Sequence, residues 1–132
     1  MSFDWTDYLT LARALQQDPE SPGPREASFR CAASRAYYAA FKCAFNYAQS
    51  DGYLPRNSGE DHKALQRHFR HSVSSDRTRK EISVNLNRLY DHRRKADYDD
   101  YMGTRPDALA DQAIEQATRV IQLLAALSTA KQ

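Results

Sequence analysis

Glycine and proline are scarce, with four Gly and five Pro in 132 residues. Three of the prolines crowd into one short stretch, "DPESPGP" at 18–24. A glycine-rich loop that cradles nucleotide phosphates with backbone N–H groups is therefore excluded. Every periodic segment reads as helical rather than as a half-buried strand. The only two cysteines, Cys31 and Cys43, fall in one helical segment about 18 Å apart at 1.5 Å rise per residue, beyond disulfide reach. They read as small buried or half-buried apolar residues in a reducing compartment. No apolar run approaches membrane-spanning length, "VIQLLAAL" being the longest. The opening "MSFDWTDYLT" lacks the basic and then apolar regions of a secretory signal. The expected setting is the cytoplasm, without a membrane partner. A Gly-x-Ser-x-Gly elbow is missing, and neither cysteine has a cationic neighbour fixed by sequence, so nucleophilic hydrolysis has no signature. His68 and His71 are three apart with no acid at ligand spacing, and His62 and His68 do not share a face. Neither a metal nor another cofactor is expected.

What is present is helical periodicity from end to end. Trp5, Tyr8, Leu9, Ala12 and Leu15 make one face of a first helix capped by Asp4 and ending near Gln17. After the proline loop, Pro24 suits the first turn of a second helix from about Arg25 to Ser50. Phe29, Ala33, Ala36, Tyr37, Ala40 and Ala44 form its stripe. "DGYLPRNSG" is a loop, and Ser58 to Asp61 resembles a capping box with Asp in place of Glu. A short third helix is expected from about Glu60 to Val73, burying Leu65 and Phe69. The polar "SVSSD" follows, with Asp76 as cap of a fourth helix that carries Ile82, Leu86, Leu89 and Tyr90 on one face. Gly103 and Pro106 interrupt it, and the last helix, about Pro106 to Ser128, carries Leu109, Ala113, Ala117, Val120, Ile121, Leu124 and Leu127. The fold class is all-α: one domain, an antiparallel bundle of four to five helices.

The net charge of +2 hides an asymmetry. Between His62 and Lys95 lie ten of the 19 Lys and Arg, three of the 17 acids and all four His. A local excess of this kind is the footprint of a phosphate-bearing or acidic partner, although a solvated helix face has the same composition. In "ASRAYYAAF" (33–41), Tyr37 and Phe41 read as core. Arg35, flanked by alanines on a mostly buried helix, needs an anion, and an acid of the "ADYDD" segment is the candidate.

"SRAYYAAF", followed some fifty residues later by "RRKADYDD", resembles the HEPN family of small prokaryotic helical domains. "FDWTDYLTLARAL" and "SGEDHKAL" resemble its short stand-alone branch, so the similarity spans almost the whole chain. The resemblance implies a homodimer whose two fourth helices meet at a shared cleft. It also implies a role in toxin–antitoxin, CRISPR-associated or other antiviral defence systems, acting on or binding RNA, often as a metal-independent endoribonuclease. The family motif is Arg, four to six residues, then His, often with a polar residue directly after the Arg. Here Arg93 takes the Arg position and Arg94 the polar one, while Tyr98 stands where His is expected. With a pKa of about 10 rather than about 6.5, Tyr is the poorer proton carrier near neutrality.

On this reading Arg93, His92 and Tyr98 are the candidate catalytic residues. His92 shares a face with Arg88, four residues before it, and would meet Arg93 only across a dimer cleft. Arg94, Lys95, Arg88 and Arg35 are candidate phosphate or RNA contacts, with Asp97 and Tyr38 in support. An alternative is a non-catalytic partner module that binds a nucleotidyltransferase antitoxin, an effector protein or a nucleotide. A third is structural assembly through "AIEQATRVIQLLAALS".

Overall fold

A computed structural model describes residues 2–21, 23–71 and 76–130. Five helices are present: α1 (Thr6–Gln17), α2 (Arg25–Ser50), α3 (Asp61–His71), α4 (Arg77–Tyr98) and α5 (Pro106–Ala130). No strand occurs among the described residues. The helices pack against one another as an all-α bundle, as the periodicity predicts.

The helix ends show why the sequence breaks where it does. Asp4 accepts the Thr6 N–H and hydroxyl at 3.0 and 2.6 Å, so it performs the capping chemistry expected of it. α1 is counted from Thr6, and Trp5 before it already has helical backbone angles, φ −66° and ψ −16°. Pro24 sits one position outside the expected first turn, as the N-cap of α2. At the other end of α2, Gly52 takes φ +95°, Tyr53 N–H bonds Ala48 O and Gly52 N–H bonds Gln49 O. That is the left-handed C-terminal turn for which glycine is suited. Asp76 caps α4 through the Arg79 N–H at 2.9 Å.

The capping box expected at Ser58–Asp61 takes a different form. Asp61 is the first residue of α3, and its carboxylate turns back to accept the Tyr53 hydroxyl and the Arg56 N–H. Burial pushes the Asp61 carboxyl up, but the Tyr53 hydroxyl and the N–H groups of Arg56, Ser58 and Asn57 outweigh it and hold the group below its usual range. The expected end of α3 at Val73, and the polar turn over 72–75, lie outside the described residues.

α2 is the central element and packs against all four other helices. Its sequence explains this: Ala32, Ala33, Ala36, Ala39, Ala40, Ala44 and Ala48 are all buried, so neighbouring helices approach closely on several sides. Tyr37, Phe41, Leu65, Phe69, Ile82, Leu86, Leu89 and Val120 fill the intervening space. The cysteines depart from expectation in part. Cys43 is half-buried, but Cys31 is exposed, because it lies off the alanine stripe.

Candidate nucleic-acid interface

Arg93 continues the apolar stripe of α4, which runs through Ile82, Leu86, Leu89 and Ala96. That register buries it to 7 % exposure. Its guanidinium carbon lies 5.5, 5.8, 5.4 and 5.7 Å from the ring centres of Tyr37, Tyr38, Tyr90 and Tyr98. The only carboxylate it pairs with among the described residues is Asp97, at 3.8 Å. Nε is buried and has no hydrogen-bond partner among the described residues. Asp97 in turn accepts from the Ser34 hydroxyl at 3.2 Å. Arg93 is thus a desolvated cation held mainly by aromatic faces.

Arg79, the other buried arginine, is held quite differently. It donates to both oxygens of Asp51 at 2.7 and 3.2 Å, and His68 lies 3.1 Å from the same carboxylate. This cluster joins the end of α2 to α3 and α4. The bonds to Asp51 raise the Arg79 pKa further, against the effect of burial.

The acid expected to pair with Arg35 is not what the bundle supplies. Arg35 lies 4.8 Å from the Tyr8 ring and 5.1 Å from Tyr38, and donates to the Ser34 hydroxyl at 3.4 Å. The arginine that reaches the "ADYDD" segment is Arg30. It donates to the carbonyls of Ala96, Asp99 and Asp100 at 3.2, 2.6 and 3.3 Å, with a longer contact to Lys95. A cation at these orphaned carbonyls also meets the negative end of the helix dipole. Residues 30 and 34 share the α2 face that looks toward the end of α4, whereas residue 35 is rotated about 100° away, toward α1.

His92 does not join Arg93. It is half-buried beside α5, where burial and Lys95 lower its pKa while Gln116 and Asp91 oppose the shift. His92 Nδ1 and Gln116 Oε1 both lack a geometric hydrogen-bond partner among the described residues, even though Gln116 is near enough to hold the ring's pKa up. Tyr98 stands at the surface, 71 % exposed. Within one chain the three candidate catalytic side chains therefore point into the core, toward α5 and into solvent.

The histidine that the fold does bring to the tyrosine cluster is His62, in the first turn of α3. Its ring stacks on Phe41 at 4.6 Å and Tyr37 at 5.5 Å and lies 5.3 Å from Tyr90. Tyr37 and Tyr90 are also rings over which Arg93 sits. The Tyr37 hydroxyl bonds His62 Nδ1. Burial pushes the Tyr37 phenol well above its usual range, so it remains the donor and Nδ1 the acceptor. Burial and then the Arg93 charge lower the His62 pKa, with Asp61 opposing. Burial and the Arg93 charge thus favour the neutral ring. Sequence inspection treats His62 only as a metal candidate; its place just after the loop in "SGEDHKAL" is the one local sign of another role.

The outer face of α4 carries Lys80, Val84, Asn87, Asp91, Arg94 and Tyr98, spaced four and three residues apart. Between α3 and the first half of this face runs a groove of about 1040 Å³. Lys63, Arg67, Arg70, His71, Lys80 and Arg88 line it together with Gln66, Ser83, Val84 and Asn87, and no acid among the described residues does. Arg94 and Lys95 lie further along the helix, beside a second cleft with Asp91, Tyr98 and Asp99. No group of His, Cys, Asp and Glu arranged to hold a metal ion occurs among the described residues, and no described helix is long and apolar enough to cross a membrane. No protein-family profile, curated protein or solved structure matches this chain.

Proposed function

We propose that this chain is a small RNA-binding helical protein of HEPN type, serving a toxin–antitoxin or antiviral defence system, and that the α3–α4 groove is its phosphate-binding surface. The observation that carries the reading is the lining of that groove, five Lys and Arg and one His without an acid. Cations gathered along one groove between two packed helices attract a polyanion. A ligand running along α4 from Lys80 to Tyr98 would follow about 27 Å of helix. The sequence resemblance supplies the biological setting.

Binding rather than cleavage is the better-supported activity. Arg93 would have to leave its tyrosine cluster to grip a phosphate; Tyr98 belongs to that cluster through its ring face, and His92 lies away from it beside α5.

The test is RNA binding as a function of salt, with wild type and a Lys63→Gln, Arg67→Gln, Lys80→Gln variant. All three residues are exposed. Each phosphate contact contributes about 0.7 to the slope of log K against log salt for single strands, so losing three lowers it by roughly 2. An unchanged slope would sink the groove assignment. Cleavage of the RNA in EDTA by wild type but not by Arg93→Ala would replace the binding reading with an enzymatic one.

A further inference from the structure

The second cleft differs from the basic groove in a way that bears on what enters it. About 550 Å³ in volume, it is formed by Asp91, Arg94, Lys95, Tyr98 and Asp99. Two cations face two carboxylates there, so the cleft has none of the groove's net attraction for phosphate. Its wall is the Tyr98 ring, 71 % exposed and so open to a stacking partner. One side of that ring is backed by Arg93, whose guanidinium carbon is 5.7 Å from the ring centre. Arg94 is laid over Tyr90 at 5.8 Å, which steadies its stem beside the cleft. Asp99 follows the last turn of α4 in extended conformation, outside the helix, while Arg30 fixes the carbonyls around it.

We infer that this cleft takes one unpaired nucleobase carrying an exocyclic amine, at the far end of the strand whose phosphates lie in the α3–α4 groove. The inference rests on the RNA-binding reading and adds to it both a single-stranded ligand and a base preference. A flat exposed tyrosine next to a basic track is the pairing on which unstacked bases settle, since every base offers a π-face. Carboxylates repel a phosphate but accept hydrogen bonds from cytosine N4, adenine N6 or the guanine amine. Uracil presents two carbonyl oxygens and one N–H, so it meets Asp91 and Asp99 with the wrong polarity. Arg94 and Lys95 remain free to hold the phosphates that flank the inserted base. Duplex RNA, with its bases paired and stacked, cannot supply that base to the cleft.

The experiment measures binding of full-length protein to labelled (rU)8, to the same octamer with one central cytidine, adenosine or guanosine, and to a blunt duplex of equal length. Wild type should hold the substituted octamers about tenfold more tightly than (rU)8. Tyr98→Leu should weaken them by about tenfold, while Tyr98→Phe retains the affinity because the stacking face is kept. Asp91→Asn with Asp99→Asn should erase the preference without loss of (rU)8 binding, since an amide both donates and accepts. Equal affinity for all octamers, equal affinity for the duplex, or indifference to Tyr98→Leu would overturn the base cleft and leave the groove reading standing. Failure of wild type to bind any of these RNAs at low salt would overturn both.

Discussion

The two buried arginines make opposite predictions under the same substitution. Arg93→Met removes the guanidinium but keeps most of the stem. The charge gains about 2 kcal/mol from desolvated cation–π contact, a value that does not multiply over its four rings. Asp97, 31 % exposed and 3.8 Å away, adds at most about 1 kcal/mol. Against this stands the buried Nε, without a partner among the described residues, whose desolvation costs about 1–3 kcal/mol. These effects nearly cancel, so Arg93→Met should fall within about 1 kcal/mol of wild type. Asp97 is not stranded by the change, because it keeps the Ser34 hydroxyl and reaches water. Arg79→Met takes two charge-assisted bonds away from Asp51, whose side chain is only 16 % exposed. The expected loss is about 3–5 kcal/mol, toward the lower end because His68 stays with Asp51.

Urea unfolding followed by circular dichroism separates the two cases. With a slope of about 2 kcal/mol per molar, the midpoint of Arg79→Met drops by roughly 1.5 M and that of Arg93→Met by less than about 0.5 M. A drop for Arg93→Met as large as that for Arg79→Met would refute the reasoning. It would show that the tyrosine-held guanidinium locks the bundle, and that its retention needs no function to explain it.

Further outcomes follow from the same geometry. Arg30→Met removes the donor to the last carbonyls of α4 and should cost about 1 kcal/mol. Amide exchange at Tyr98 and Asp99 should quicken while the core stays protected, and uniform protection would count against the capping role. Tyr37→Phe deletes the donor to His62 Nδ1 and should cost about 1–2 kcal/mol. Since that bond favours the neutral ring, the His62 pKa should move up in an NMR titration, and no movement would contradict the assigned donor. His62 and His92 both have folded-state pKa values below the ordinary 6.5. As pH falls past 6.5 the unfolded chain therefore takes up protons at these rings before the folded chain does, and stability declines until the folded rings titrate as well. The urea midpoint should be lower at pH 5.5 than at 7.5, and His62→Asn with His92→Gln should flatten that difference. A midpoint that rises on acidification would contradict the burial of both rings.

How much of this was legible in the sequence depends on how local the cause is. The span of α2, Arg25–Ser50, and the start of α5 at Pro106 are read directly, because proline, glycine and a 3.6-residue period act within a few residues of themselves. The burial of Arg93 was legible too, since residues 82, 86, 89, 93 and 96 form one stripe; as a motif position it reads as a candidate catalytic residue. The separation of His92 from Arg93 follows from the same helical angle. Tertiary packing alone decided that Arg30, not Arg35, closes the end of α4, that His62 lies beneath the Tyr37 hydroxyl, and that the cations of α3 and α4 share a groove. Periodicity tells which face of a helix turns inward, but not which residue of another helix meets it. That register is set by how the alanine faces of α2 seat their neighbours, a property of all five helices packed together.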